Sequence, residues 1–144
     1  EGIARILSAI GSLADVGRSS PTTSRREALD AAFDKIEEYE TGLAMQFQRG
    51  VDLLPQFQSY GITQVEQFSE RVPTFSIRHR KLPSIEVAKR LAESGIFVWH
   101  GNFYALPLTE MLGVEPEGLV RIGLLHYNTR EEVEYLLDVL KKID

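Results

Sequence analysis

GLVRIGLLHYNTREEVEYLLDVLKKI, residues Gly118 to Ile143, runs from a strand through a turn into a helix. Within Leu119–Leu125 the pattern is apolar except for Arg121. Side chains alternate across a strand, so Val120, Ile122 and Leu124 share one face and Leu119, Arg121, Gly123 and Leu125 the other. The first set is expected to pack under helices. Tyr127–Asn128 ends the strand. Thr129 with Glu132 forms a capping box, which opens a helix whose apolar stripe is Val133, Leu136, Leu137, Leu140 and Ile143. A guanidinium stays charged and presents a fork of donors that fits a carboxylate. An anion is therefore expected opposite Arg121. By pattern alone it is either an internal Asp or Glu, which is the simpler reading, or a ligand.

Upstream, Ile3, Ile6, Leu7, Ile10, Leu13 and Ala14 recur at helical spacing, with Gly17 as the stop. A polar loop covers 18–23. Ser24 and Glu27 then form a capping box, and apolar positions from Leu29 to Val51 predict one long helix ending before Pro55, with Gly42 as its weak point. Beyond it the spacing predicts a strand at Phe57–Tyr60, a helical turn near Val65–Phe68 and a strand at Thr74–Arg80 with Phe75 and Ile77 on one face. A helix capped by Ser84 and closed by Gly95 follows. Next come a strand at Ile96–Trp99, a loop at His100–Phe103 and a short helix at Tyr104–Leu112. This order implies an α+β fold: a small, largely antiparallel sheet of about four strands with helices on one face, preceded by a helix and a long helix. The division expected is 1–23 as a linking helix and loop, and 24–144 as the α+β domain.

At 144 residues and 43% hydrophobic, the chain suffices for one core. A net charge of -5 and no concentrated basic stripe argue against nucleic acid, and Arg78–Lys81 reads as a solvated loop end. With no cysteine, disulfides, thiolate metal sites and thiol nucleophiles are excluded within the chain, and a cytoplasmic location is the expectation. No apolar run has transmembrane length and no signal peptide is evident, so no membrane role is expected. The start at Glu1 rather than Met suits a piece of a longer chain. No His/Asp/Glu cluster has metal-ligand spacing, and neither a glycine-rich phosphate loop nor a nucleophile elbow is present. His100-Gly101-Asn102, between a strand and a helix, is a candidate site loop or a plain turn. Trp99 and Phe103 read as core.

RVPTFSIRH (Arg71–His79), SIEVAKRLAESGIFVWHGNFYALPL (Ser84–Leu108) and the opening stretch together resemble the C-terminal domain of class V aminotransferases, the pyridoxal-phosphate enzymes that include cysteine desulfurases. EGIARILSAI (Glu1–Ile10) resembles the helix that follows the large domain in such enzymes, although the likeness is weaker over Glu1–Leu54 than over Arg71–Ile143. The resemblance implies that Arg121 binds the carboxylate of an amino-acid substrate, with His100, Asn102 and Tyr104 lining the same site. It also implies a homodimer and a cofactor, pyridoxal 5'-phosphate, held by a lysine in a large domain outside this sequence. Two departures stand out. Tyr104 occupies the place of the desulfurase cysteine, and a phenol cannot form a persulfide, so the chain resembles a subgroup lacking that cysteine. Trp99 stands where desulfurases tend to have arginine. Lys35, Lys81, Lys89, Lys141 and Lys142 match no cofactor lysine, so this chain by itself is expected to catalyse nothing. The competing readings are a non-catalytic small-molecule binding module and a structural or interaction domain with Arg121 in an internal ion pair.

Overall fold

The computed structural model describes all 144 residues. Its elements are α1 (Gly2–Gly17), α2 (Arg25–Asp52), β1 (Phe57–Tyr60), a 3-10 turn (Val65–Glu70), β2 (Thr74–His79), α3 (Ser84–Glu93), β3 (Trp99–Gly101), α4 (Leu106–Met111), β4 (Leu119–Gly123) and α5 (Arg130–Lys141). The chain divides into two compact units, Glu1–Glu40 and Thr41–Asp144, with the boundary falling inside the span of α2.

In the first unit α1 lies close against the start of α2. A Cβ on Gly17 would come within 1.9 Å of the Ala28 carbonyl oxygen, so glycine is what lets the helices approach. Ala14, Ala28 and Ala32 are buried there, and the Lys35 ammonium donates to the Val16 carbonyl at 3.0 Å. The remaining α1 stripe stays open: Ile3 is 78% exposed, and Ile6 and Leu7 are exposed as well. The Ser24 capping box forms as expected. Ser24 N–H donates to the Glu27 carboxylate at 3.0 Å, and Glu27 N–H donates to the Ser24 hydroxyl at 3.3 Å.

The second unit is built on a four-stranded, wholly antiparallel sheet in the order β1-β2-β4-β3. One face buries Phe57, Phe75, Ile77, Val120 and Ile122 against Leu43 and Phe47 of α2, Val87 and Leu91 of α3, and Val133, Leu136 and Leu140 of α5. Phe47 and Phe75 meet with ring centroids 4.6 Å apart. Each such buried side chain contributes about 1.5–3 kcal/mol by leaving water. Arg71, from the linker before β2, is structural. Its guanidinium lies 4.1 Å from the Phe75 ring centroid, and it donates to the carbonyls of Ile62 and Thr74.

Four boundaries differ from the sequence reading, each for a physical reason. The expected strand Ile96–Trp99 is instead β3 at Trp99–Gly101. Gly95, at φ +75°, turns the chain, and Ile96 and Val98 pack against the core without pairing to β4. The two segments diverge there and leave a cleft of about 410 Å³ between 95–98, the end of β4 and the start of α5. The helix expected from Tyr104 begins at Leu106, because Phe103 and Tyr104 hold left-handed backbone, φ 55° and 62°. The β4 strand stops at Gly123 rather than Tyr127, where the Asn128 side chain accepts the Leu125 N–H at 2.9 Å and closes a turn. Ser84 does not cap α3. Its buried hydroxyl donates to the Gly118 carbonyl at 2.9 Å, and Pro83 occupies the cap position.

His79 is buried beside Phe57 at the end of β2. Its Nδ1 accepts the N–H groups of Lys81 at 3.2 Å and Leu82 at 2.9 Å, which requires that nitrogen to be unprotonated. Burial, and then the nearby Lys81 and Arg90 charges, hold its pKa below 6.5; the Ile143 carbonyl and Asp144 oppose this. The unfolded chain therefore binds more protons than the folded one between the lowered pKa and 6.5, and stability rises with pH across that window and levels off above it. Urea midpoints are expected to fall as pH is lowered from about 7.5 to about 5. In His79→Gln the curve should start lower and run flatter over the same window.

Candidate functional site

β4 is an interior strand, flanked by β2 and β3, and its alternation turns Arg121 away from the helices. Val120, Ile122 and Leu124 are buried, whereas Arg121 and Gly123 are exposed. Arg121 lies directly opposite Ser76 on β2 and Trp99 on β3, and Ser76 in turn faces Tyr60 on β1. Directly paired residues in an antiparallel sheet share a face, so Tyr60, Ser76, Arg121 and Trp99 form one row across the open side. The guanidinium carbon sits 4.9 Å from the Phe103 ring centroid. Arg5 pairs with Glu1, Arg18 with Asp15, Arg26 with Asp30 and Arg90 with Glu86, whereas Arg121 takes no internal carboxylate. The expected structural ion pair is absent, and a charged fork stands open beside aromatic rings.

The other expected site residues divide. Asn102 builds the loop: its carbonyl oxygen accepts the Ala105 N–H at 2.8 Å and its side-chain oxygen accepts the Tyr104 N–H at 3.2 Å. The loop thereby holds the left-handed pair Phe103 and Tyr104, a conformation costing on the order of 1–3 kcal/mol per non-glycine residue. Tyr104 is 98% exposed. His100 pairs with Val120, so the pleat directs it to the opposite face from Arg121. Trp99 and Phe103, read from sequence as core, are not buried: Trp99 is 59% exposed and Phe103 stacks on Arg121. Strand register carries this information, and the sequence signalled it only through an aromatic on either side of a glycine turn.

A close approach of two backbones fixes this loop to β4. A Cβ added to Gly118, at φ +64°, would lie 2.3 Å from the Gly101 carbonyl. Only glycine fits both the backbone angle and the space.

The residues present do not suit a covalently bound pyridoxal cofactor. All five lysines are exposed; four lie on or at the end of helices, and Lys81 is in the loop after β2. None stands in a sheltered pocket where an amine could be desolvated and held against a ring. What the open face can hold is a carboxylate on Arg121, with apolar surface beside it.

An antiparallel sheet with helices on one face, and Arg121 and Arg78 on the other without a carboxylate partner, defines an α+β module. The chain belongs to the aminotransferase class-V family, whose model matches residues 26–136. It is 32% identical over 115 residues to the aminotransferase-like protein FGM3 of Gibberella zeae, covering 77% of this chain and 28% of that protein. To a cysteine desulfurase of Cronobacter sakazakii it is 31% identical over 132 residues, covering 86% of this chain and 30% of the relative. Among solved structures, the cysteine desulfurase of Thermococcus onnurineus superposes with a TM-score of 0.72 at 28% identity, over 83% of this chain and 28% of that one. The chain thus spans under a third of the length of these relatives.

Replacing Gly118 with Ala is expected to destabilise the chain by about 1–3 kcal/mol, from strained backbone and overpacking together. Urea unfolding measures this, and amide shifts of Trp99–Tyr104 report the accompanying movement of the loop.

Proposed function

We propose that this chain is the C-terminal part of a pyridoxal-phosphate enzyme of the class V, cysteine desulfurase-like kind, acting on an amino acid. In this reading residues 1–23 link to a large domain and 24–144 form the small domain. Arg121 takes the substrate carboxylate, with Asn102 and Tyr104 shaping the loop beside it; His100, on the opposite face of the sheet, takes no part. The intact enzyme is a cytoplasmic homodimer. The cofactor, which supplies the electron sink for chemistry at the amino-acid carbon, is bound by a lysine of the large domain. The fragment alone is inactive, since none of its own lysines suits that task.

The observation that carries the reading is the open, unpaired Arg121 guanidinium on a family member's sheet. An arginine that stabilised the fold through an ion pair would have an acid within reach, and Arg121 has none. A fork in this setting binds a carboxylate through two charge-assisted hydrogen bonds and so fixes the orientation of the molecule carrying it. The exposed stripe of Ile3, Ile6 and Leu7 supports the linking role, as apolar surface that a neighbouring body would cover. Tyr104 supports a reaction other than desulfuration, because its phenol offers no thiolate for attack on sulfur. No helix is long and apolar enough to cross a membrane.

Arg121→Leu separates a binding role from a structural one. In the intact polypeptide that carries this chain, apparent affinity for the amino-acid substrate is expected to fall by about tenfold to a hundredfold, the loss of hydrogen bonds to a charged partner. Thermal unfolding of the 144-residue chain should change by no more than about 0.5 kcal/mol, as for other exposed positions. Unchanged affinity, or a large loss of stability, would overturn the assignment.

A further inference from the structure

The proposed carboxylate anchor has aromatic rings on one side. Trp99 faces Arg121 directly across the β3–β4 pair, which places their Cβ atoms about 4.5–5.5 Å apart on one face. The Phe103 ring stacks on the guanidinium at 4.9 Å. Tyr104, next in sequence, is nearly fully exposed. Large aromatics clustered in solvent beside a charged group mark a surface meant to be covered, whereas singly scattered ones do not.

We infer that the Trp99–Phe103 wall selects the side chain of the ligand, so that the carboxylate bound by Arg121 belongs to a molecule with a bulky apolar or aromatic side chain. The inference rests on the carboxylate reading of Arg121 given above. A carboxylate bonded to both arms of the fork has its carbon about 4 Å from the guanidinium carbon. The α-carbon lies one bond beyond, and in the inferred pose its substituent meets the rings that flank Arg121. There an apolar group gains ring contact and leaves water, while a small or ionised one gains nothing. Aromatic pairs add to simple area burial, and the geometry of a flat indole beside a flat guanidinium favours another flat group.

The competing specificity element is Arg78, on the same face of β2 two residues from Ser76, and so diagonal to Arg121. A ligand with a second carboxylate would use it. A diagonal neighbour lies about 7–8 Å away. That spacing suits a dicarboxylate, and the same titration distinguishes the two cases.

The experiment is calorimetric titration of the intact polypeptide with carboxylates that lack an amino group and so cannot react: propanoate, 3-phenylpropanoate, 4-methylpentanoate and succinate. The expected result is that 3-phenylpropanoate binds at least about tenfold more tightly than propanoate, with 4-methylpentanoate between them, as one aromatic contact implies. Trp99→Ala should bring 3-phenylpropanoate to within about threefold of propanoate measured on the same variant. Trp99→Leu, which keeps an apolar side chain without the ring, should lose most of the phenyl advantage as well. Equal binding of all four ligands, or an advantage for the phenyl ligand that survives both variants, overturns the side-chain inference while the anchor stands. Tightest binding by succinate, lost in Arg78→Gln, overturns it in favour of a dicarboxylate. If Arg121→Leu leaves every affinity unchanged, or no ligand binds, the anchor itself falls, and the inference with it.

Discussion

Along β4 a single geometric rule couples the core to the site. Val120, Ile122 and Leu124 are drawn inward by the apolar surfaces of α2, α3 and α5, and the two-residue period of a strand then leaves Arg121 no choice but the other face. A slip of one residue would bury the guanidinium and expose three aliphatic side chains, at a cost of several kcal/mol on both counts. The orientation of the arginine is therefore held by the whole core rather than by any partner of its own. That explains how an unpaired cation keeps a defined place in the middle of a sheet.

The loop beside it is held differently. Gly101 and Gly118 bring two backbones into contact, the Ser84 hydroxyl satisfies the Gly118 carbonyl, and Asn102 closes the turn that carries Phe103 and Tyr104 in left-handed conformation. Each device stabilises a geometry that the next needs. Glycine permits the approach, the hydroxyl removes the penalty of a buried carbonyl, and the amide turn offsets part of the backbone strain. The result is a rigid aromatic shelf next to an arginine, built on the edge strand of the sheet. Pre-organised shelves of this kind lower the ordering cost of binding.

Membership of the class-V family sets this arrangement in a larger context. The chain matches less than a third of its relatives' length, and its own lysines are all solvent-exposed. What the proposal assigns to it is recognition: one end of the substrate on Arg121 and the side chain against Trp99 and Phe103. Relatives named as cysteine desulfurases share the fold. A tyrosine at the tip of the loop and a tryptophan opposite Arg121 are the features on which the proposed difference in chemistry rests. The divergence of residues 96–98 from β4 leaves the aromatic edge supported at one end only, by pairing at Trp99–Gly101.

Local signals were enough for most of the fold. Both capping boxes, the helical stripes of α3, α5 and the second half of α2, the glycine after α3 and the strand alternation around Phe75 and Arg121 depend on residues within a turn or a few positions of one another, and all appear as read; in the first half of α2, Phe33 and Tyr39 are exposed instead. The sequence likewise determined that Arg121 faces away from the core, because a period of two needs no knowledge of the partner strand. What depended on distant segments was not legible. Ser84 reads locally as a cap, yet its hydroxyl answers to a carbonyl 34 residues away. Trp99 and Phe103 read as core by composition, and only strand register places one opposite Arg121 and folds the other over it. Pairing partners, the divergence that shortens β3 and the absence of an acid near the arginine are properties of segments meeting in space, which tertiary structure alone decided.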